Sequence, residues 1–163
     1  MRTDPAILEI IQNFYSAVCC GMGYVIERTS YSTFVTESAD YATALTLPTG
    51  EFFAYPKTAG VTNFMGLSLT RVIKECKDFE EGDIILTNDP YTTDGLSTHL
   101  PDVHVIKPIF HEGELICFAW TFVHTSDVGG CVPSSITPTA TDIQMEGLRI
   151  PPVKLFQAGK ENQ

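Results

Sequence analysis

The sequence has few positive charges. Its 163 residues include 10 lysines and arginines against 20 aspartates and glutamates, which gives a net charge of −10 at neutral pH. Nucleic-acid binding draws most of its sequence-independent affinity from clustered basic residues, and the few cations here do not cluster. We therefore expect no nucleic-acid partner.

Several other signals are absent. No basic segment followed by an apolar stretch opens the chain, and no window approaches about 18 consecutive apolar residues, so we expect no membrane association. The five cysteines form no CxxC pair, which argues against a disulfide framework or a thiolate zinc site and favours the cytoplasm. Neither a phosphate-binding glycine loop nor a GxSxG nucleophile motif occurs.

The composition is that of a packed globular domain. Hydrophobic residues make up 44% of the chain and charged residues 18%, unlike a disordered sequence. This length supports a single core, so we expect one domain over residues 1–163. The apolar stretch Ile150–Phe156 is followed by a polar end, which suggests a fragment of a longer subunit.

Periodicity predicts an α+β fold in which two helices pack on a mixed, largely antiparallel sheet. The first helix starts at Asp4-Pro5 and carries apolar residues at helical spacing up to Val25. The second runs from Asn63 to Cys76. Predicted strands cover Tyr41–Leu47, Glu51–Tyr55, Ile84–Thr87, Val103–Phe110 and Leu115–His124. The last is apolar on both faces, as expected inside a sheet.

Two histidines lie where these strands meet polar loops. His99 ends the long loop that starts at Asn88, and His124 ends the last predicted strand. Each has an aspartate three residues later, Asp102 and Asp127. Imidazole and carboxylate are common ligands of zinc, manganese and non-haem iron, although hydrogen-bonded structural histidines give the same pattern. His104 should point outward from its strand and His111 should lie in a turn, neither with a function.

A series of short motifs along nearly the whole chain resembles the N-terminal portion of the hydantoinase B/oxoprolinase family. This family includes N-methylhydantoinase B-like, caprolactamase and acetone or acetophenone carboxylase subunits. The motifs are Asp4-Pro5, Glu27-Arg28-Thr29, Asp40-Tyr41, Gly82-Asp83, Asn88-Asp89-Pro90-Tyr91, Thr98-His99-Leu100-Pro101-Asp102, Asp127-Val128-Gly129-Gly130 and Glu146-Gly147-Leu148-Arg149-Ile150-Pro151-Pro152.

The resemblance implies a divalent-metal site formed by Asp40, His99 and His124. Asp89, Asp102 and Asp127 would either hydrogen-bond to the ligands from the second coordination shell or replace one of them. No further catalytic residue is assigned. The resemblance also implies a hetero-oligomer in which a hydantoinase A-like partner binds ATP, while the metal activates water or substrate to open a cyclic amide. The three ligands can meet if β-pairing brings both histidines to one sheet edge and the strand after Asp40 runs parallel to Val103–Phe110.

Two other functions stay open. The same site would suit a subunit of an ATP-dependent ketone carboxylase, and a non-catalytic assembly module would use these side chains only to stabilise loops. The chain also departs from the commoner family pattern: the loop after Tyr91 is longer, Val123 replaces a histidine, and Lys57–Asn63 replaces a histidine-bearing stretch. The substrate is therefore undetermined by the sequence.

Overall fold

The structure is a computed structural model that describes residues 4–56 and 66–162. Its helices are α1 (Pro5–Thr29), α2 (Thr33–Thr36) and α3 (Thr70–Cys76). Its strands are β1 (Tyr41–Thr46), β2 (Phe52–Ala54), β3 (Ile84–Thr87), β4 (Asp102–His111), β5 (Glu114–His124), β6 (Val153–Gln157) and β7 (Lys160–Glu161). Short 3-10 segments occupy Pro133–Ser135 and Ile143–Met145.

The seven strands form one sheet in the order β2-β1-β5-β4-β3-β6-β7, and every neighbouring pair is antiparallel. β5 is an interior strand, and its Phe118 and Trp120 are essentially inaccessible to solvent. Leu69 and Val72, at and within the start of α3, belong to the same core cluster. The α+β prediction is thus confirmed, as is the interior position of β5.

The first helix begins where the sequence predicts. The Asp4 carboxylate accepts a hydrogen bond from the Ala6 amide at 2.9 Å, which caps the start of α1. The helix packs on the sheet through small residues, because only Ser16, Cys19 and Gly23 are buried. Its larger apolar side chains are mostly exposed, and no helix in the described ranges is long and apolar enough to span a membrane.

Several details differ from the sequence-based expectation. The sheet is antiparallel throughout rather than mixed, and three helices rather than two are present in the described part of the chain. The helix expected from Asn63 begins at Thr70; residues 63–65 lie outside the described residues. Strands β6 and β7 were not expected, because Pro151-Pro152 and the polar residues after Phe156 interrupt a strand pattern.

Candidate metal centre

Strand register brings the candidate ligands to one end of the sheet. In the β4–β5 pair, Asp102 lies opposite His124, so the first residue of β4 meets the last residue of β5. The His124 amide donates to the Asp40 carbonyl at 3.0 Å, just before β1 begins. β1 and β4 both run antiparallel to β5, and therefore parallel to each other. His99 lies in the turn that leads into β4, where its carbonyl accepts from the Asp102 amide.

The side chains converge at this end. His99 Nε2 lies 3.0 Å from Asp102 Oδ1, and His124 Nδ1 lies 3.2 Å from the same oxygen. The two ring nitrogens are 3.2 Å apart. Asp40 Oδ2 lies 3.5 Å from His124 Nδ1. The structure thus brings together Asp40, His99 and His124, with Asp102 between the two rings; we call these four residues the His/Asp cluster.

The cluster fits a divalent cation. Nitrogen and oxygen ligands lie about 2.0–2.2 Å from zinc, which places ligand atoms roughly 3–3.5 Å from one another. The four measured separations fall between 3.0 and 3.5 Å. The ligand atoms of His99, Asp102 and His124 all lie within 4.8 Å of one another. Two imidazoles and two carboxylates suit zinc, manganese or iron, so the donor set alone does not select the metal.

Burial differs across the cluster. The His124 side chain is 2% exposed and packs against the Phe34 ring, whereas the Asp40 side chain is 44% exposed. The hydrogen bond to Asp102 raises the pKa of His99 above its usual value despite burial. Burial alone would raise the pKa of Asp102, but its contacts with His99 and His124 outweigh that effect and lower it. The cluster therefore holds Asp102 as a carboxylate.

The other two candidate aspartates have different partners. Asp89 is buried, where it accepts from the Tyr91 amide at 3.0 Å and pairs with Arg149 Nε at 3.2 Å. Asp127 is exposed and accepts from the Gly129 amide at 2.7 Å and the Ser134 amide at 3.2 Å. Their contacts shape loops, and neither belongs to the cluster of possible metal ligands found among the described residues.

A support for the loop before β4 was missed in the sequence. The Asn88 side chain donates to the Leu100 and Leu148 carbonyls, both at 2.8 Å. Glu146 Oε2 accepts from the Leu100 amide at 2.9 Å. The 146–150 segment therefore fixes the loop that carries His99. Asn88 and Glu146 each begin one of the family-like motifs, but neither motif predicts which backbone groups these side chains contact.

The expectation for His104 is wrong, and His111 is the last residue of β4 rather than part of the turn that follows it. His104 is fully buried, not outward-facing, and its Nδ1 accepts from Trp120 Nε1 at 3.0 Å. Burial lowers the pKa of His104 to about 4, so the ring is neutral near pH 7. The side chain is on the core face because buried positions alternate along β4, and His104 shares its face with the core residue Ile106. His111 is exposed, next to the turn between β4 and β5.

Comparison with known proteins gives a consistent assignment. The sequence model of the hydantoinase B/oxoprolinase family matches residues 4–163. An uncharacterized protein of Methanocaldococcus jannaschii is 33% identical over 98% of this chain and 29% of its own length. Caprolactamase subunit beta of Pseudomonas jessenii is 31% identical over 98% of this chain and 27% of its own.

Two solved structures share the fold. The crystal structure of the ATP-dependent caprolactamase from Pseudomonas jessenii aligns with a TM-score of 0.73 at 29% identity, over 99% of this chain and 28% of that one. A nucleotide-free acetone carboxylase structure aligns with a TM-score of 0.83 at 20% identity, over 98% of this chain and 21% of that one; at this identity the likeness concerns the fold alone. The chain spans less than a third of each of these proteins.

Proposed function

The chain belongs to the hydantoinase B/oxoprolinase family, and we propose that it is the metal-binding part of an ATP-dependent enzyme that opens cyclic amides. The observation that carries this proposal is the His/Asp cluster, in which four potential ligand side chains from three separate segments converge within 3.5 Å contacts. The 163 residues would correspond to one domain in the N-terminal portion of a longer subunit.

The four residues of the His/Asp cluster would divide two tasks between them. His99, His124 and Asp40 would hold a divalent ion, and Asp102 would orient both rings or act as a fourth ligand. When bound, such an ion supplies Lewis acidity that activates water or a carbonyl group. Asp40 is the more solvent-exposed of the two cluster carboxylates, so it is the one that faces the open side of the site. Buried His124 stays fixed against Phe34.

The ATP-dependent step requires a partner. The sequence contains no phosphate-binding loop, so we assign ATP to a hydantoinase A-like subunit. An amide resists attack by water because resonance makes its carbonyl carbon a poor electrophile. Transfer of the ATP γ-phosphoryl group to the amide oxygen, with release of ADP, would make that carbon more electrophilic; attack by water, cleavage of the C–N bond and release of phosphate would then give the open amino acid. The similarity to caprolactamase subunit beta, a named subunit, supports a complex of this kind. The five free thiols favour the cytoplasm as the site of this complex.

Reconstitution with an ATP-binding partner subunit tests the proposal. We expect ATP consumption that depends on a cyclic amide and not on bicarbonate, and that falls at least about a hundredfold in His124→Ala. His111→Ala is the matched control, because His111 is exposed and far along β4 from the cluster. Bicarbonate-dependent ATP consumption would instead assign the chain to a ketone carboxylase. Full activity in His124→Ala, with weaker subunit association, would make the chain an assembly module.

A further inference from the structure

A cavity of about 420 Å³ lies next to the His/Asp cluster, between the end of α1, the start of α2 and the end of β5. It is lined by His124 itself and by the residues on either side of it in the chain, Val123 and Thr125. Its size is within the range of about 300–1,000 Å³ that is usual for small-molecule sites. The cavity therefore begins at a residue of the cluster and can hold a small ligand beside it.

The lining is aliphatic and hydroxylic. Ile26, Val35 and Val123 supply the aliphatic surface, and the remaining side chains besides His124 belong to serine, threonine and tyrosine. All lining residues lie in the described part of the chain, and none is a lysine or arginine. Arg28 lies near the end of α1 but does not line the cavity. A ligand here meets hydrocarbon and neutral hydroxyl groups.

Two serine hydroxyls of the lining are available as hydrogen-bond donors. Thr29 and Thr125 already donate to backbone carbonyls, at 2.7 and 2.9 Å. Ser30 instead accepts from the Ser32 amide at 3.1 Å, and the Ser32 hydroxyl accepts from Ser126 at 3.4 Å. Because they accept in these contacts, the Ser30 and Ser32 hydroxyls remain able to donate to a carbonyl oxygen. An amide carbonyl is such an acceptor.

The same surroundings disfavour an anion. Moving a carboxylate out of water without a cationic partner is costly, whereas a hydrocarbon ring gains from burial. The neighbouring His/Asp cluster contains two carboxylates, Asp40 and Asp102, which would repel an anionic ligand. A metal ion held by the cluster would offset part of that charge, but the lining itself offers a carboxylate no lysine or arginine.

We propose that this cavity binds the substrate and selects an uncharged lactam, with a hydrocarbon ring and a single amide, over a lactam that bears a carboxylate. The inference rests on the proposed function, since it names the substrate class of that site. Ser30 and Ser32 donate to the amide oxygen, while Ile26, Val35 and Val123 contact the ring. The amide is thereby held beside His124.

Two ligands that differ only in one carboxylate test this selectivity: 2-pyrrolidone and 5-oxoproline. Binding of each to the metal-supplemented protein is measured by saturation-transfer NMR titration, with ε-caprolactam as a larger uncharged ligand. We expect both uncharged lactams to bind at least about tenfold more tightly than 5-oxoproline. Equal binding of 2-pyrrolidone and 5-oxoproline, or binding of neither uncharged lactam, would overturn the proposal.

Substitutions locate the selectivity in the cavity. Ser126→Lys places a cation in the lining at an exposed position, so it should reduce the preference for 2-pyrrolidone at least about fivefold. Ser38→Lys adds the same charge at an exposed residue outside the lining and should leave the preference unchanged. An unchanged preference in Ser126→Lys, or an equal change in Ser38→Lys, would place the ligand elsewhere and overturn the proposal.

The metal content of the same samples distinguishes a failure of the proposed metal-dependent function from a failure of the cavity assignment. A wild-type protein that selects uncharged lactams but holds no metal would refute the metal-dependent function and leave the cavity assignment intact. A protein that holds metal but binds 5-oxoproline as tightly as 2-pyrrolidone would refute the cavity assignment alone.

Discussion

Two carboxylates in this protein, Asp89 and Asp94, differ in how much they depend on the arginine with which each forms an ion pair. Asp89 is fully buried, and its Oδ2 atom has no hydrogen-bond partner in the described part of the chain apart from the ion pair with Arg149. Asp94 is half exposed, and water can replace its partner Arg71. A buried charge without a partner is costly, whereas an exposed ion pair contributes little. The two arginines therefore have unequal effects on stability.

Replacing each arginine by methionine measures this difference. We expect Arg149→Met to reduce the free energy of unfolding by about 1–3 kcal/mol, because it leaves the Asp89 carboxylate buried and unpaired. Arg71→Met should cost no more than about 0.5 kcal/mol. Urea denaturation of both variants gives the comparison. Equal losses would show that the Arg149 contact is no stronger than a surface ion pair.

Asp83 makes stability depend on acid pH. Burial would raise the pKa of this carboxyl, but hydrogen bonds from the Ala158 and Glu80 amides and from Lys154, which lies 2.9 Å away, lower it below its usual value. A carboxyl with a lowered folded-state pKa stabilises the fold above its unfolded-state pKa of about 4, and this contribution is lost as the pH falls through the folded value. In thermal melts, Asp83→Asn should flatten the decrease in Tm below about pH 4. A decrease as steep as in the wild type would contradict this assignment.

The sequence predicted a site residue only where a local pattern marked it. His99 and His124 were identifiable because both lie at strand ends beside polar loops. Asp102 was grouped with His99 because it is three residues away, but its position between both rings depends on the β4–β5 register. The burial of His104 was not predictable, because its buried face of β4 also carries the polar Asp102. The opposite face carries Val103 and Val105 and looks more apolar in sequence.

At the scale of elements, close backbone approach positions α3 against the first hairpin. Gly50, in the turn between β1 and β2, has φ of +104°, and a Cβ there would lie 2.5 Å from the Thr70 amide nitrogen. Gly113, in the turn between β4 and β5, has φ of +83° with open space around it. Both positions favour glycine by conformation, but only the first does so by packing as well.

Alanine substitutions at Gly113 and Gly50 distinguish the cost of backbone strain from the cost of steric overlap with α3. Gly113→Ala should cost about 1–2 kcal/mol from the left-handed backbone alone. Gly50→Ala should reduce the free energy of unfolding by about 1–3 kcal/mol more than Gly113→Ala does, since the hairpin and α3 must move apart. The free energies of unfolding of the two variants are the measurement. A similar loss in both would indicate that the α3 contact adjusts without cost.

The elements best predicted from sequence were those with a long regular pattern. β4 and β5 match their predicted ranges to within one residue at each end, because both are long and joined by a short glycine-containing turn. β6 was missed because its partner β3 is about seventy residues earlier, and pairing, not local propensity, makes it a strand. α2 is a single turn of four residues, too short for a periodic signal.

At the scale of the whole molecule, more of the exposed large apolar side chains lie on α1 than on any other element of the described ranges. Ile10, Phe14 and Val25 are each more than 60% exposed, and none belongs to a core cluster. An exposed apolar face of this kind tends to associate. We expect the purified chain to gain mass with concentration in size-exclusion chromatography with light scattering.

The association should depend on α1. Phe14→Ser combined with Val25→Ser should shift the chain towards the monomer, whereas Ile116→Ser, which removes an exposed side chain from β5, should not. A wild-type chain that stays monomeric at all concentrations, or an equal shift from Ile116→Ser, would show that this face does not drive association.

The central claim is that the His/Asp cluster binds one divalent ion, and equilibrium dialysis with elemental analysis tests it most directly. Wild-type protein dialysed against zinc or manganese should retain about one equivalent. His99→Ala and His124→Ala should each weaken that binding at least about tenfold, and His111→Ala should bind as the wild type does. Wild-type protein without bound metal, or variants at His99 and His124 that bind it as tightly as His111→Ala, would contradict the account.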